Sequence, residues 1–123
     1  MKEAYTVEMY EGLNGHSEVA NFIKGLEPKM AAKFLRQAEF LEQYGPELRE
    51  PNTKHLEDGI FELRCRQGNN CSRFLFFFEG GEERKIIITN GFIKKQQTTP
   101  RNQITLAKKY RREYFEKKIA NNK

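Results

Sequence analysis

Alternation of apolar and polar residues predicts a run of β-strands in the second half of the chain. Within residues 60–66, Phe61, Leu63 and Cys65 fall on one face of a strand, and charged side chains fall on the other. Residues 74–78 and 86–88 are apolar throughout, which is typical of central strands buried on both faces. Clusters of Gly and Asn between these segments favour tight hairpin turns.

Helical periodicity predicts two helices before these strands and one after them. Ser17 suits the N-cap of a short helix, and Pro28 suits the first turn of a second helix that runs to about Tyr44. A last helix begins at Pro100, with Thr99 as its expected N-cap. Residues 4–10 are predicted to form an edge strand, and residues 53–56 are predicted to form a further short strand.

The order of these elements, β-α-α-β-β-β-β-α, predicts an α+β fold. We expect a twisted, antiparallel-dominated sheet of four to five strands, with an N-terminal helical hairpin against it and a basic C-terminal helix. A chain of 123 residues is large enough for one core and too small for two, so residues 1–123 are expected to form a single domain. Residues 118–123 are expected to fray as a tail.

Composition narrows the functional classes. No apolar segment approaches the ~20 residues of a membrane span, and the first residues lack a signal-peptide pattern, so we expect a cytoplasmic protein without a membrane partner. Cys65 and Cys71 flank a predicted turn and are expected to stay reduced. The two histidines, His16 and His55, are far apart in sequence, and we expect neither a metal site nor a cofactor.

Charge is distributed unevenly along the chain. Residues 1–83 hold 10 Lys and Arg against 15 Asp and Glu, whereas residues 84–123 hold 12 against 2. A basic last third of this kind suggests a polyanion or an acidic protein as the partner. The alternative is a solvated basic helix that only aids solubility.

Two arginines face each other in the predicted hairpin. A turn centred on residues 68–69 places Arg64 directly opposite Arg73, an arrangement that is unfavourable unless something neutralises it. A bound phosphate would do so, because the planar guanidinium group matches phosphate oxygens. Neutralisation by Glu62, or by the acids of the turn at 57–58, is the alternative.

Other side chains lie near the same predicted surface. Lys54 precedes it, and alternation sends Lys94 and Lys95 to opposite faces where the last strand ends. Phe92 is in phase with Lys94 and could stack on a base, although a strand phenylalanine is more often part of the core. His55 is the one histidine near these cations, and a lone strand histidine is more often structural than catalytic.

Several segments together resemble a known family. The segments GIFELRCR, SRFLFFF and NGFIKKQQTTP, followed by a basic helix containing Ala107, resemble the RelE/HigB superfamily of bacterial toxins, in particular its phage-derived branch. The resemblance covers about residues 50–110. It implies the toxin of a type II toxin–antitoxin system, a ribosome-dependent and metal-independent mRNA endonuclease (mRNA interferase) that inhibits translation. The implied partners are a cognate helix-turn-helix antitoxin, the ribosome and mRNA.

The resemblance also implies roles for individual residues. Lys54 would act as a base or orient the phosphate, and Arg64 and Arg73 would stabilise charge on phosphorus. Lys94 or Lys95 would assist the leaving 5′-oxygen or position the substrate. The implied RNA-binding residues are His55, Arg66, Phe92, Lys108, Lys109 and Arg112.

Two departures from the branch leave other functions open. Ser72 stands where the branch often has an aromatic residue, and the residues before Phe92 lack a histidine that several relatives carry. A ParE-like inhibitor of DNA gyrase is one alternative function. The other is a catalytically inactive relative that only binds its antitoxin.

Overall fold

The computed structural model describes residues 4–12 and 14–121, and within them the predicted order of elements is confirmed. The elements are β1 (Thr6–Met9), α1 (Glu18–Lys24), α2 (Pro28–Tyr44), a 3-10 turn (Gly45–Glu47), β2 (Thr53–Glu57), β3 (Ile60–Gln67), β4 (Asn70–Phe78), β5 (Lys85–Ile93) and α3 (Arg101–Asn121). The ends of the predicted domain, residues 1–3 and 122–123, lie outside the described residues, as do the last two positions of the predicted frayed tail. Residues 118–121 are helical.

The described strands form one five-stranded mixed sheet in the order β1-β5-β4-β3-β2. β1 pairs in parallel with β5, and the other three pairings are antiparallel. The predicted fold class is therefore confirmed, with β1 at one edge and the apolar strands β4 and β5 in the interior of the sheet.

The helices cover both faces of this sheet. The hairpin of α1 and α2 packs on the face that carries Leu63, Phe74 and Ile88, as expected. The helix α3 packs on the opposite face through Ile104 and Ala107. Because the arginines of β3 alternate with Leu63, their side chains are on the α3 face.

A β-bulge in β5 reverses the alternation of its side chains. Leu75 pairs with Asn90 and Phe76 pairs with Ile88, so that Thr89 is an extra residue without a partner in the register. Ile88 lies in the core of the hairpin face, whereas Phe92 packs into the core of the α3 face. An uninterrupted strand would have placed both on the same face.

The turn after α2 depends on a glycine. Gly45 has φ 53°, a left-handed conformation that ends the helix, and a Cβ atom there would lie 2.4 Å from the Tyr5 ring. At the start of the hairpin, the predicted cap is confirmed because the Ser17 hydroxyl accepts a hydrogen bond from the Ala20 amide at 3.2 Å.

One residue of α2 occupies the outer edge of β1. The Glu42 carboxylate accepts a hydrogen bond from the Val7 amide at 2.8 Å, and the Glu42 carbonyl accepts one from Tyr5 at 2.8 Å. These contacts satisfy the backbone amides of Tyr5 and Val7, which point away from β5.

Apolar packing and polar contacts together attach α3 to the rest of the molecule. Ile104 and Ala107 are buried, and Tyr110, Tyr114 and Phe115 are partly buried against the same core. The contacts pair Arg101 and Lys108 with Glu57, Lys108 with Asp58, Tyr110 with Glu18, Tyr10 with Glu113, and both Tyr114 and Lys118 with Glu79. None of the described helices has the length and apolar composition needed to cross a membrane.

Candidate functional site

Basic side chains from several elements line one cavity of about 580 Å³ at the end of the sheet where β2 begins. Its cationic lining consists of Lys33 from α2, Lys54 from β2, Arg64 and Arg66 from β3, Arg73 from β4, and Lys94, which follows β5. We call this space the central cavity. The gathering of cations from separate strands that the sequence suggested is present.

The two predicted arginines are directly opposite each other, as the turn indicated. Between them lies Glu62, whose side chain is fully buried. Its Oε1 atom accepts hydrogen bonds from Arg64 Nε at 3.2 Å and from Arg73 Nη1 at 3.0 Å. Glu62 therefore pairs with both arginines, as in the alternative considered from the sequence, and the cavity beside them stays open.

This pairing orients the arginines without using all of their donors. A guanidinium group carries five N–H donors, and each arginine reaches Glu62 through one nitrogen. Arg73 is 8% exposed and Arg64 is 28% exposed, so both groups are shielded from bulk water. One carboxylate facing two guanidinium groups leaves a net positive charge, which suits a phosphate group.

The second oxygen of Glu62 has its own partner. Thr99 was expected to cap α3, but the helix begins at Arg101, and the Thr99 hydroxyl instead donates a hydrogen bond to Glu62 Oε2 at 2.5 Å. The segment before α3 is thereby tied to the buried carboxylate. Burial of an ionised group requires such compensation, because an unpaired buried charge is strongly unfavourable.

The structure separates the two lysines that the sequence left undecided. Lys94 lines the central cavity and is partly buried, whereas Lys95 is exposed and lines two neighbouring cavities instead. The bulge at Thr89 explains this result. Counting in twos from Ile88 would place Lys94 on the hairpin face, and the extra residue moves it to the arginine face.

Several predicted RNA-binding residues lie outside the central cavity. His55 pairs with Phe61, its ring is 4.9 Å from the Phe61 ring, and its Nε2 accepts a hydrogen bond from the turn at Gly59. Phe92 packs against the α3-side core. Lys108 is bound to Glu57 and Asp58. Lys109 and Arg112 are exposed on α3.

Sequence reasoning missed one buried residue of the site. Gln37 is 4% exposed and donates hydrogen bonds to the Arg64 carbonyl at 2.9 Å and to Asn52 Oδ1 at 3.1 Å. It therefore holds the start of β2 and the arginine-bearing part of β3 together. The sequence contained a signal for this buried contact, because Gln37 is the polar residue on the otherwise apolar stripe of α2.

A larger cleft of about 820 Å³ lies at the opposite edge of the sheet. Its charged lining is mixed, with Glu8 and Glu83 beside Lys85 and with Lys118 at the far side. Lys85 is bound to both glutamates at 3.4 and 2.8 Å, so its charge is already compensated. The central cavity, where cations outnumber acids, is the better candidate for chemistry on an anion.

The chemistry available in the central cavity is charge stabilisation. Fixed guanidinium groups beside a developing phosphorane dianion lower its energy, and nearby ammonium groups can orient or protonate oxygens. Within residues 4–12 and 14–121, no group of His, Cys, Asp and Glu side chains is arranged to hold a metal ion.

Comparisons with known proteins relate the chain to one sequence family and to solved structures. Residues 21–112 match the sequence family described as "Phage derived protein Gp49-like (DUF891)". The fold matches a chain of the archaeal RelE–RelB complex from Pyrococcus horikoshii OT3 with a TM-score of 0.55 and 22% identity, over 76% of this chain and 99% of that chain. No curated protein matches the sequence significantly.

Proposed function

The chain belongs to the phage-derived Gp49-like family, and from this premise we propose that it is the toxin of a type II toxin–antitoxin system that cleaves mRNA on the ribosome. The family match confirms the phage-derived branch of the resemblance described from the sequence, and the structural match confirms its fold. One observation carries the proposed activity: Arg64, Arg73, Lys54 and Lys94 line one cavity around a buried carboxylate.

The proposed reaction transfers a phosphoryl group within the RNA. The ribose 2′-oxygen loses its proton and attacks the adjacent phosphorus, and the bond to the 5′-oxygen breaks. The 5′-oxygen takes up a proton, so that the products carry a 2′,3′-cyclic phosphate and a 5′-hydroxyl group. No redox partner is required, and the charge that builds on the phosphoryl oxygens is the main feature to be stabilised.

The roles of the residues follow from their positions. Arg73, the more buried arginine, and Arg64 are fixed by Glu62 and stabilise the phosphoryl oxygens. Lys54 of β2 pairs with Glu62 of β3, and it orients the phosphate or the attacking 2′-hydroxyl. Lys94 provides the proton or charge needed by the leaving 5′-oxygen, whereas Lys95 contacts RNA outside the central cavity.

The proposed partners follow from the same premise. A cognate antitoxin would bind this chain, as the RelB component accompanies RelE in the archaeal complex. Lys109 and Arg112, which are exposed on α3, would contact the backbone of ribosomal RNA or mRNA. We propose that these encounters take place in the cytoplasm.

Expression in bacteria that lack the antitoxin tests the proposed function. The wild-type chain should arrest growth, and Arg73→Ala should abolish the arrest by lowering the cleavage rate at least about 100-fold. Arg36→Ala is the matched control, because Arg36 is exposed on α2 outside the central cavity. Primer extension on cellular mRNA should show cuts that disappear when translation is blocked.

Other outcomes would identify the alternative functions. DNA breaks with intact mRNA would replace the proposal with inhibition of DNA gyrase. Unaffected growth, with the wild-type protein folded and abundant, would indicate an inactive relative that only binds its antitoxin.

A further inference from the structure

Two smaller cavities continue the central cavity along the segment that follows β5. The first has a volume of about 470 Å³ and shares Arg66, Cys71, Lys94 and Gln97 with the central cavity. The second has a volume of about 490 Å³ and shares Lys95 and Gln96 with the first. The three cavities therefore adjoin one another in series along residues 94–97, and we call this series the groove. We call the last cavity the slot.

The slot differs in chemistry from the rest of the groove. Its apolar lining includes Phe22, Ile93 and Pro100, and its polar lining includes Lys95, Gln96 and Asn102. Ile93 is 46% exposed, although most β-branched apolar residues of the sheet are buried. A half-exposed apolar side chain beside a lysine and two amides is typical of a site for a flat, polar-edged group.

The path of β1 leaves space for the slot. The register of β1 extends along β5 only from Lys85 to Ile88, so none of the described strands lies beside the later part of β5 on that side. The slot lies there, between Phe22 of α1 and the first turn of α3. Its position is therefore set by elements of the fold rather than by a surface loop alone.

A glycine fixes one wall of the slot. A Cβ atom at Gly91 would lie 2.8 Å from ring atoms of both Phe22 and Phe74. The absence of this atom lets Phe22 lie directly on β5, where its ring meets Phe74 edge-to-face with centroids 5.7 Å apart. The aromatic wall is thus held in place before any ligand arrives.

We propose that the slot binds the base of a nucleotide that flanks the cleaved linkage, so that one RNA strand follows the groove from Arg73 to Ile93. Apolar and aromatic walls accept the face of any base, amide groups bind base edges, and lysines along the path contact the intervening phosphates. This inference rests on the proposed function and extends it to a second nucleotide. Continuity with the central cavity favours RNA over a peptide as the occupant.

Binding of a single-stranded RNA oligonucleotide of about eight nucleotides tests the slot. The probe is 2′-O-methylated throughout, which prevents cleavage, and its affinity is measured by fluorescence anisotropy at several salt concentrations. Ile93→Ser should weaken binding about fivefold or more at every salt concentration, because it removes apolar contact and no charge. Lys95→Gln should instead reduce the slope of log affinity against log salt by about 0.7.

The matched control is Leu35→Ser. Leu35 is 59% exposed on α2 and lines none of the three cavities of the groove, so the same kind of substitution there should leave RNA affinity unchanged. Thermal unfolding of both variants should match the wild type, which excludes an effect through folding.

The outcomes separate this inference from the proposed function. The proposal that the slot binds a base would be wrong if Ile93→Ser and Leu35→Ser had equal RNA affinity. It would also be wrong if the wild-type chain bound no oligonucleotide. Loss of antitoxin binding in Ile93→Ser with unchanged RNA affinity would overturn it in favour of a protein-binding site. Growth arrest and mRNA cuts that depend on Arg73 would uphold the cleavage function in each of these cases.

Discussion

At the scale of single residues, Glu62 determines the geometry of the candidate site. Its carboxylate is inaccessible to water and is shared by Arg64, Arg73 and Thr99, which come from three segments of the chain. The residue orients the guanidinium groups, and nothing in its position requires it to contact RNA. Its contribution is therefore that of a positioning residue, and its removal should affect both stability and activity.

Replacing this carboxylate tests the positioning role. Glu62→Gln should lower the free energy of unfolding by about 2–3 kcal/mol, because Arg73 loses its charged partner in a nearly buried position. Urea denaturation measures this change, and the exposed Glu39→Gln substitution is the control. If Glu62→Gln retained full stability and full growth arrest, the positioning role would be wrong.

The two cysteines offer a second prediction at this scale. Burial raises the pKa of the Cys65 thiol to about 12, whereas Cys71 is partly exposed where the central cavity meets the neighbouring one. Iodoacetamide should therefore modify Cys71 in the folded protein and Cys65 only after unfolding. Mass spectrometry of the alkylated peptides identifies the site. The 2′-O-methyl RNA probe should slow the reaction at Cys71, and an unchanged rate would argue against RNA in the groove.

At the scale of elements, α3 is attached by ion pairs as well as by the apolar and aromatic side chains that pack on the core. The end of β2 and the turn that follows it carry Glu57 and Asp58, which face Arg101 and Lys108 of the helix. Glu57 and Lys108 are 51 positions apart. Apolar periodicity predicts that a helix exists, but it gives little information on where a helix with two fully buried side chains will dock.

These ion pairs predict how stability depends on pH. Hydrogen bonds from Arg101 and then Lys108 lower the pKa of Glu57 from 4.5 to about 2, and Lys108 lowers the pKa of Asp58. Because the pKa is lower in the folded state, the stabilisation is complete above pH 4.5 and is lost as the pH falls toward 2. Wild type should therefore be more stable than Glu57→Gln at pH 7, and the difference should shrink over this interval. Thermal unfolding measured along a pH series would refute this if the difference stayed constant.

In the sheet, the register of the β3–β4 hairpin was predicted from the sequence, whereas the bulge in β5 was not. Turn residues around Gly68 fix the hairpin register, so the pairing of Arg64 with Arg73 was predictable and is confirmed. The bulge at Thr89 was not predicted, although Gly91 inside the same strand is a residue type that often accompanies a bulge. The bulge decides that Lys94 rather than Lys95 lines the cavity with the arginines. A single inserted residue thus changes the composition of the site.

At the scale of the whole molecule, the charge imbalance along the chain is partly resolved by folding. Lys85, Arg101, Lys108 and Lys118 from the basic last third are bound to glutamates of the more acidic first part. What remains at the surface includes Lys109 and Arg112 on α3 and the exposed Arg66 beside the groove. The full sequence has a net charge of +5, and these exposed cations are positioned to attract an acidic partner.

This distribution predicts how the proposed antitoxin would associate with the chain. The toxin-binding segment of the antitoxin should be acidic or amphipathic, and its association rate should fall at least about tenfold as salt is raised from ~0.05 to ~0.5 M. Stopped-flow fluorescence measures this rate. Lys109→Gln combined with Arg112→Gln should reduce this dependence on salt. An association rate that does not change with salt concentration would indicate that the antitoxin docks through apolar contacts.

The contact between Glu42 and the outer edge of β1 has a consequence for molecules that meet at high concentration. A free edge invites another chain to add its own strand, which is how many sheet proteins polymerise. A carboxylate seated on the Val7 amide occupies that position and brings a negative charge to any approaching strand. At the β1 edge, a single helix side chain therefore hinders the strand addition with which aggregation of sheet proteins begins.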